Sequence, residues 1–298
     1  MRKIIISISQ ANVECLFTNL DLCKKFIFKG CVKMSKKAHI THDLHQHSVL
    51  SDCCHDEEMT PERLLANAIK QGYDTICITD HVWDARVPGA SKWYAPQTVE
   101  HIMKSLPLPS SDVVRYCFGC ETEYCGGYKL GLDKSSYDLF DFIIVPVNHF
   151  HMLDFVRPSY INTPEAIANL LLTRLEELQQ VDLPWNKVGI AHLTTNLTFR
   201  EGNIKDVIEC MSHERLLKIF DFFARKGTGI ELNASSFIPG WEKDKDIILS
   251  VYRLAKKAGC KFYFGSDAHA VPQLSIKDKL LPVVDELDLS MDDLYNIP

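Results

Sequence analysis

From about His39 onward the chain repeats one unit: a short apolar run, a polar residue at its end, then a helix-forming segment. The runs are the stretch ending at His45 and His47, then Thr75–Thr79, Val113–Phe118, Phe142–Val145, Lys187–Ala191, Gly229–Leu232 and Lys261–Phe264. Strands alternating with helices predict parallel βαβ units, because a parallel neighbour is reached only through a long crossover. Runs as apolar as Ile143–Val145 suit strands covered on both faces. No linker separates two halves, so the expected architecture is one barrel-like domain of seven parallel strands over residues 39–298. Residues 1–38 read as an N-terminal extension. Its first 33 residues carry no capped helix and no chemistry, and a chain beginning at Met34 is expected to fold and act as the whole does.

The helices announce themselves by their ends. Thr60-Pro61-Glu62 and Thr163-Pro164-Glu165 each place an N-cap before a proline at the first helical position. Leu64, Leu65, Ala68 and Ile69 then form one face, stopped by Gly72, and the second helix runs to about Gln180. Further helices are expected near Thr98–Leu106, from Asn203, from Ser212 to Gly227, over Asp244–Ala258 before Gly259, and briefly after Ser290.

Composition narrows the function classes. Hydrophobic residues at 46% and charged residues at 24% suit a globular chain, and the net charge of −6 disfavours a general binder of nucleic acid or anionic membrane. No run approaches the roughly 20 apolar residues of a membrane span. The apolar Ile4–Ile8 is broken by Ser7 and makes no secretory signal. Eleven cysteines, an odd number, point to free thiols in a reducing cytoplasm. Cys117-x-x-Cys120 with Cys125 lacks a fourth thiolate, so buried structural thiols are expected there.

The chemistry is concentrated in Thr41–Asp52, where three histidines and two aspartates fall within twelve residues. His45 and His47 are two apart, so on a strand both imidazoles face one side, which is half of a metal site. His-x-His alone is weak, since the spacing is common. The other strand ends strengthen it: Asp80-His81, Glu121, Asn148-His149, His192, Asp267 and His269, with the sixth strand ending at Glu231 and Asn233. In a parallel barrel these ends share one rim. His39, His42, His101 and His213 read as solvated or structural.

Together, Asp43-Leu44-His45-Gln46-His47-Ser48 with Ser51-Asp52, Ile78-Thr79-Asp80-His81 and Gly265-Ser266-Asp267-Ala268-His269 resemble the signature motifs of the polymerase and histidinol phosphatase (PHP) family. Gly-x-Glu at Glu121, His149, His192 and Glu231-Leu232-Asn233 fit the same pattern. The resemblance implies a distorted seven-stranded parallel β/α barrel, two or three divalent ions (zinc, manganese or iron) and phosphoester hydrolysis. It implies one metal held by His45, His47, Glu121 and Asp267, and a second by Asp52 and His81 with Glu121 bridging. His149, His192 and His269 would complete a third site or orient the substrate. Cys53 or His55 competes with Asp52, Asn148 with His149, and Glu123 with Glu121.

On this reading Asp267 or His269 protonates the leaving oxygen, and Asp80 fixes a histidine tautomer from behind. Arg157 and Arg200 lie eight residues beyond His149 and His192 and are candidate phosphate clamps. Trp83, Trp93 and Tyr94 either wall the substrate or pack their loop. The expected substrate is a small phosphomonoester, of the histidinol phosphate kind, with no membrane partner and nucleic acid only as a substrate. The alternatives are a 5′-to-3′ exonuclease or nucleotide phosphatase, an amidohydrolase, and a non-catalytic metal-binding module. The amidohydrolase lacks its lysine, since Lys187 opens its strand rather than closing it.

Overall fold

The computed structural model describes residues 36–298, so the expectation for the first 33 residues falls outside the described part of the chain. The compact unit described below is Lys37–Pro298. In chain order its elements are β1 (His42–Gln46), α1 (Pro61–Gln71), β2 (Thr75–Ile78), β3 (His81–Val82), α2 (Val99–Ile102), β4 (Arg115–Thr122), β5 (Tyr124–Gly126), β6 (Lys129–Leu130) and β7 (Phe142–Val145). Then come α3 (Pro164–Leu178), β8 (Val188–Ile190), α4 (Ile204–Glu209), α5 (His213–Lys226), β9 (Gly229–Asn233), α6 (Lys245–Ala258), β10 (Lys261–Gly265) and α7 (Lys277–Glu286).

The strand order β1-β2-β4-β7-β8-β9-β10 is parallel throughout. Past their last paired residues β10 and β1 also meet: Asp267 N–H donates to the His45 carbonyl at 2.8 Å and His47 N–H to the Ala268 carbonyl at 3.1 Å. The sheet is therefore a nearly closed, seven-stranded barrel with helices outside it. Leu44, Cys77, Cys117, Phe142, Ile144, Ala191 and Tyr263, drawn from six strands and their ends, fill its interior. A much larger apolar layer lies between the strands and the helices.

Local signals act as expected at the helix ends. Thr60 Oγ1 accepts the Arg63 N–H, Thr163 Oγ1 accepts the Ala166 N–H, and Gly72, Gly227 and Gly259 stop α1, α5 and α6 in the left-handed conformation. Ile69 departs from the expected face and is half exposed, at the edge of the α1 stripe.

The structure differs from the expectation at β4, in the segment just after it and in the tail. The third strand does not stop at Phe118 but continues through Gly119 to Thr122. That glycine is a point of close approach, not a break: a Cβ there would lie 2.6 Å from the Phe142 carbonyl oxygen and 2.7 Å from Cys77 Sγ. The helix α7 and the hairpin β5–β6 were not expected. Pro282 sits inside α7, and Gly126 and Gly127 turn the hairpin with positive φ. After Ser290 the expected helix is a single 3-10 turn, Met291–Asp293. The described cysteines are free, with Cys117 and Cys120 buried. Among the described residues no helix is long and apolar enough to cross a membrane.

Candidate metal centre

All the candidate strand ends open on one rim. A β-bulge slips the β1 ladder between Asp43 and Gln46, so Leu44 joins the barrel interior while His45 and His47 both reach the rim. Their Nε2 atoms lie 3.1 Å apart. Glu121 Oε2 is 3.3 and 3.4 Å from them, and Asp267 Oδ1 is 3.5 and 3.2 Å away. Glu121 Oε2 also faces His81 Nδ1 at 3.0 Å. The other oxygen, Oε1, faces His192 Nε2 at 3.1 Å and His149 Nε2 at 3.8 Å. The donor atoms form three compact groups: His45, His47, Glu121 and Asp267; Glu121, His149 and His192; and His47, His81 and His269. Glu121 and His47 are each shared by two groups. His192 and Asp267 have positive φ, backbone strain that is common at functional sites.

The proton on each ring is fixed from behind. His45 Nδ1–H donates to Glu231 Oε1 at 2.8 Å, and His149 Nδ1–H to Glu123 Oε2 at 2.6 Å. Asn148 Nδ2 donates to the His192 carbonyl and to Thr198 Oγ1, which leaves its Oδ1 to accept His192 Nδ1–H at 2.9 Å. Ser51 Oγ–H donates to Asp80 Oδ1 at 2.6 Å and so accepts His47 Nδ1–H at 3.0 Å. Asp80 thus orients His47 through Ser51, while also accepting from the Ser48 N–H and hydroxyl. His269 Nδ1–H donates to the Asp267 carbonyl. In five imidazoles the Nε2 lone pair is left for the centre.

Burial opposes charge on His45, yet Glu231, Asp267 and Glu121 raise its pKa well above the ordinary value. Burial is likewise outweighed at His47, where Asp267 and Glu121 push the pKa up to about 9. Burial alone would raise Glu121 and Asp267, but the surrounding histidines hold both well below the usual carboxylate range. Burial keeps His81 well below its ordinary value and brings His269 down to about 4.

This donor set fits divalent cations. Imidazole lone pairs and ionised carboxylates converge, and two buried atoms at the centre, His81 Nδ1 and Glu121 Oε2, have no hydrogen-bond partner. Mixed nitrogen and oxygen donors suit zinc, manganese or iron alike.

Not every expected residue is brought in. Asp52 is exposed, its N–H donates to Gln97 Oε1, and it belongs to none of the three groups. Asp80 pins the neighbouring Ser51 inward, which turns Asp52 outward. His55 is exposed as well, and Cys53 lines the cavity over the centre without joining a group. Arg157 is not positioned as a phosphate clamp. Its buried guanidinium donates to the Phe150 and Ile161 carbonyls and to Glu201, which braces the loop after His149. Arg200 is exposed and lines the cavity. Asp267 is held ionised and His269 neutral, its one ring proton committed to the Asp267 carbonyl, so both suit metal ligation better than proton donation.

The cavity has a volume of about 540 Å³, with Trp93, His151, Met152, Leu197, Arg200 and Gln273 around its mouth. Trp93 packs edge-on against His81, whereas Trp83 is buried in its loop and Tyr94 donates to Glu123 Oε2. The aromatic stretch therefore both lines the cavity, through Trp93, and packs its own loop, through Trp83 and Tyr94. His42 is structural, its Nε2 accepting the Phe264 N–H. Sequence reasoning missed the supporting roles of Glu231, Asn148 and Ser51 and the rim residue His151. Glu231 and Asn148 carried a signal, each being a polar residue at the end of an apolar strand.

The fold and this centre define a parallel β/α barrel with a cluster of metal-ligating side chains on one rim. The chain belongs to the PHP domain family, whose model matches residues 43–235, well over half its length. Among solved structures it resembles the histidinol phosphate phosphatase of Lactococcus lactis, a structure that holds zinc, L-histidinol and phosphate. That match has a TM-score of 0.53 and 17% identity, covering 87% of this chain and 100% of that one. A Listeria monocytogenes protein assigned as a histidinol phosphatase matches with a TM-score of 0.52 and 16% identity, over 78% of this chain and 96% of its own. At these identities the likeness is one of fold. Comparison with curated protein sequences finds no match.

Proposed function

We propose that this chain is a metal-dependent phosphoesterase acting on a small phosphomonoester. The observation that carries the reading is Glu121, whose two carboxylate oxygens face two different ligand groups and so suit a bridge between cations. His45, His47 and Asp267 would hold one ion and His149 with His192 another, with His47, His81 and His269 available to a third. Such ions would supply Lewis acidity toward the phosphoryl oxygens and an activated water at neutral pH.

The chain's own residues would do the rest. Arg200 at the mouth would take the phosphate oxygens through its guanidinium fork, a geometry matched to that anion. Trp93, Met152 and Leu197 would shield the organic portion of the ester from water. Glu231, Glu123, Asn148 and Asp80 through Ser51 would keep the Nε2 lone pairs of His45, His149, His192 and His47 directed inward. Histidinol phosphate is the first substrate to test, because the family resemblance and the two structural neighbours point the same way.

The test is elemental analysis of the purified protein beside a panel of phosphomonoesters, nucleotides and oligonucleotides. The expected result is at least two ions per chain and phosphate release from small esters, with histidinol phosphate among them. Mononucleotide release from an oligonucleotide without hydrolysis of small esters would replace this reading with the exonuclease. Fewer than one ion per chain after reconstitution would overturn it.

A further inference from the structure

Glu231 on β9 neither lines the cavity nor belongs to any of the three donor groups, yet it is fully buried at the centre's back. Its two oxygens are committed separately. Oε1 accepts His45 Nδ1–H at 2.8 Å, and Oε2 accepts the backbone N–H of His192 at 2.6 Å. Room for the carboxylate comes from Gly265 on the paired strand β10, where a Cβ would lie 2.0 Å from Oε1.

We infer that Glu231 is the positioning residue that sets one ligand in each of two donor groups: the tautomer of His45 and the backbone placement of His192. The inference rests on the metal-centre reading above. His45 belongs to the group with His47, Glu121 and Asp267; His192 belongs to the group with Glu121 and His149. Both bonds require an acceptor, and an ionised carboxylate is the one side chain of this shape with two. While Oε1 accepts from Nδ1, the His45 lone pair stays on Nε2, facing the centre. While Oε2 holds the His192 N–H, that residue keeps its φ of 33° and its Nε2 stays 3.1 Å from Glu121.

Glu231→Gln keeps the shape and breaks the logic, because an amide has one acceptor and one donor. A backbone N–H cannot change tautomer, so the amide oxygen is drawn to His192. The amide N–H then faces His45 Nδ1, which becomes the acceptor, and the ring proton moves to Nε2. His45 would present a proton where it should present a lone pair.

The experiment measures zinc stoichiometry and affinity of the intact protein and its Glu231→Gln variant by competition with a chelator. It is paired with nitrogen-15 histidine spectra of the zinc-loaded wild type, the His45 signals identified by their absence in His45→Gln. The expected result is a loss of zinc affinity of about 10–100-fold or more, with the wild-type His45 ring carrying its proton on Nδ1 and zinc on Nε2. Unchanged zinc affinity in a folded Glu231→Gln overturns the inference. Should that variant not fold, His45 coordinating zinc through Nδ1 in the wild type overturns it equally. Failure of the wild type to bind zinc, manganese or iron would instead remove the metal-centre reading beneath it.

Discussion

His149 donates through Nδ1 to Glu123 at 2.6 Å, so the carboxylate two residues beyond Glu121 orients a histidine delivered by the neighbouring strand. Both acids point into the barrel rim and both are buried, but they do different work. Glu121 faces ring atoms of five histidines, whereas Glu123 is engaged by one imidazole and the Tyr94 hydroxyl.

The first prediction follows from that division. Glu121→Gln removes the charge that both donor groups share and should lower turnover at least about 10²-fold, with loss of bound metal. Glu123→Gln should cost about 10–100-fold and leave the His45 group loaded. Steady-state kinetics with metal analysis checks this; the reverse order would move the bridge to Glu123.

The two arginines should separate cleanly. Arg200→Ala would remove the proposed charged contact to substrate and should raise KM for a phosphomonoester about 10-fold or more, with the melting temperature little changed. Arg157→Met orphans the buried Phe150 carbonyl and the partly buried Ile161 carbonyl and frees Glu201, so it should lose about 2 kcal/mol or more of stability. Thermal melts and KM measurements on both variants decide it. A larger KM effect at Arg157 would return that residue to the substrate.

Stability of the metal-free protein should fall as pH rises from about 6.5 to 9. His47 has a folded pKa raised to about 9, so its contribution is complete below the unfolded value near 6.5 and is lost through the folded one. His45, raised by Glu231, Asp267 and Glu121 against its burial, adds in the same direction. Below pH 6.5 the sign reverses through His42, which burial holds at about 3 in the fold and which binds a proton on unfolding. Metal should flatten the alkaline limb, because a cation replaces those protons. Denaturant midpoints at pH 6.5 and 9, with and without chelator, test this. A metal-free midpoint that climbs toward pH 9 contradicts it.

Gly119→Ala links fold to site. The added Cβ meets the Phe142 backbone and Cys77 Sγ at under 3 Å, so β4 must shift against its neighbours. Overpacking of this kind costs about 1–3 kcal/mol, and Glu121 lies two residues on. Expected outcomes are a lower denaturation midpoint and weaker metal binding together. Normal stability and normal metal content would show that the strands have slack.

The alternation of strands and helices, the capped starts at Thr60 and Thr163 and the stops at Gly72, Gly227 and Gly259 were legible because they depend on neighbours within a turn. So was the collection of His, Asp and Glu residues at strand ends, which a parallel barrel gathers on one rim. The destination of individual side chains was not. Ser51 turns in and Asp52 out because Asp80, on another strand end, takes the serine. Arg157 is buried because Glu201, 44 residues on, meets it, while Arg200 remains at the mouth. Glu231 becomes a support of the centre because Gly265 on the adjacent strand leaves space beside His45. The sequence by itself determined which backbone would form and which chemistries would share a rim. Which of two adjacent polar groups faces the centre was decided by hydrogen-bond partners far away in the chain, brought close only when the barrel closes.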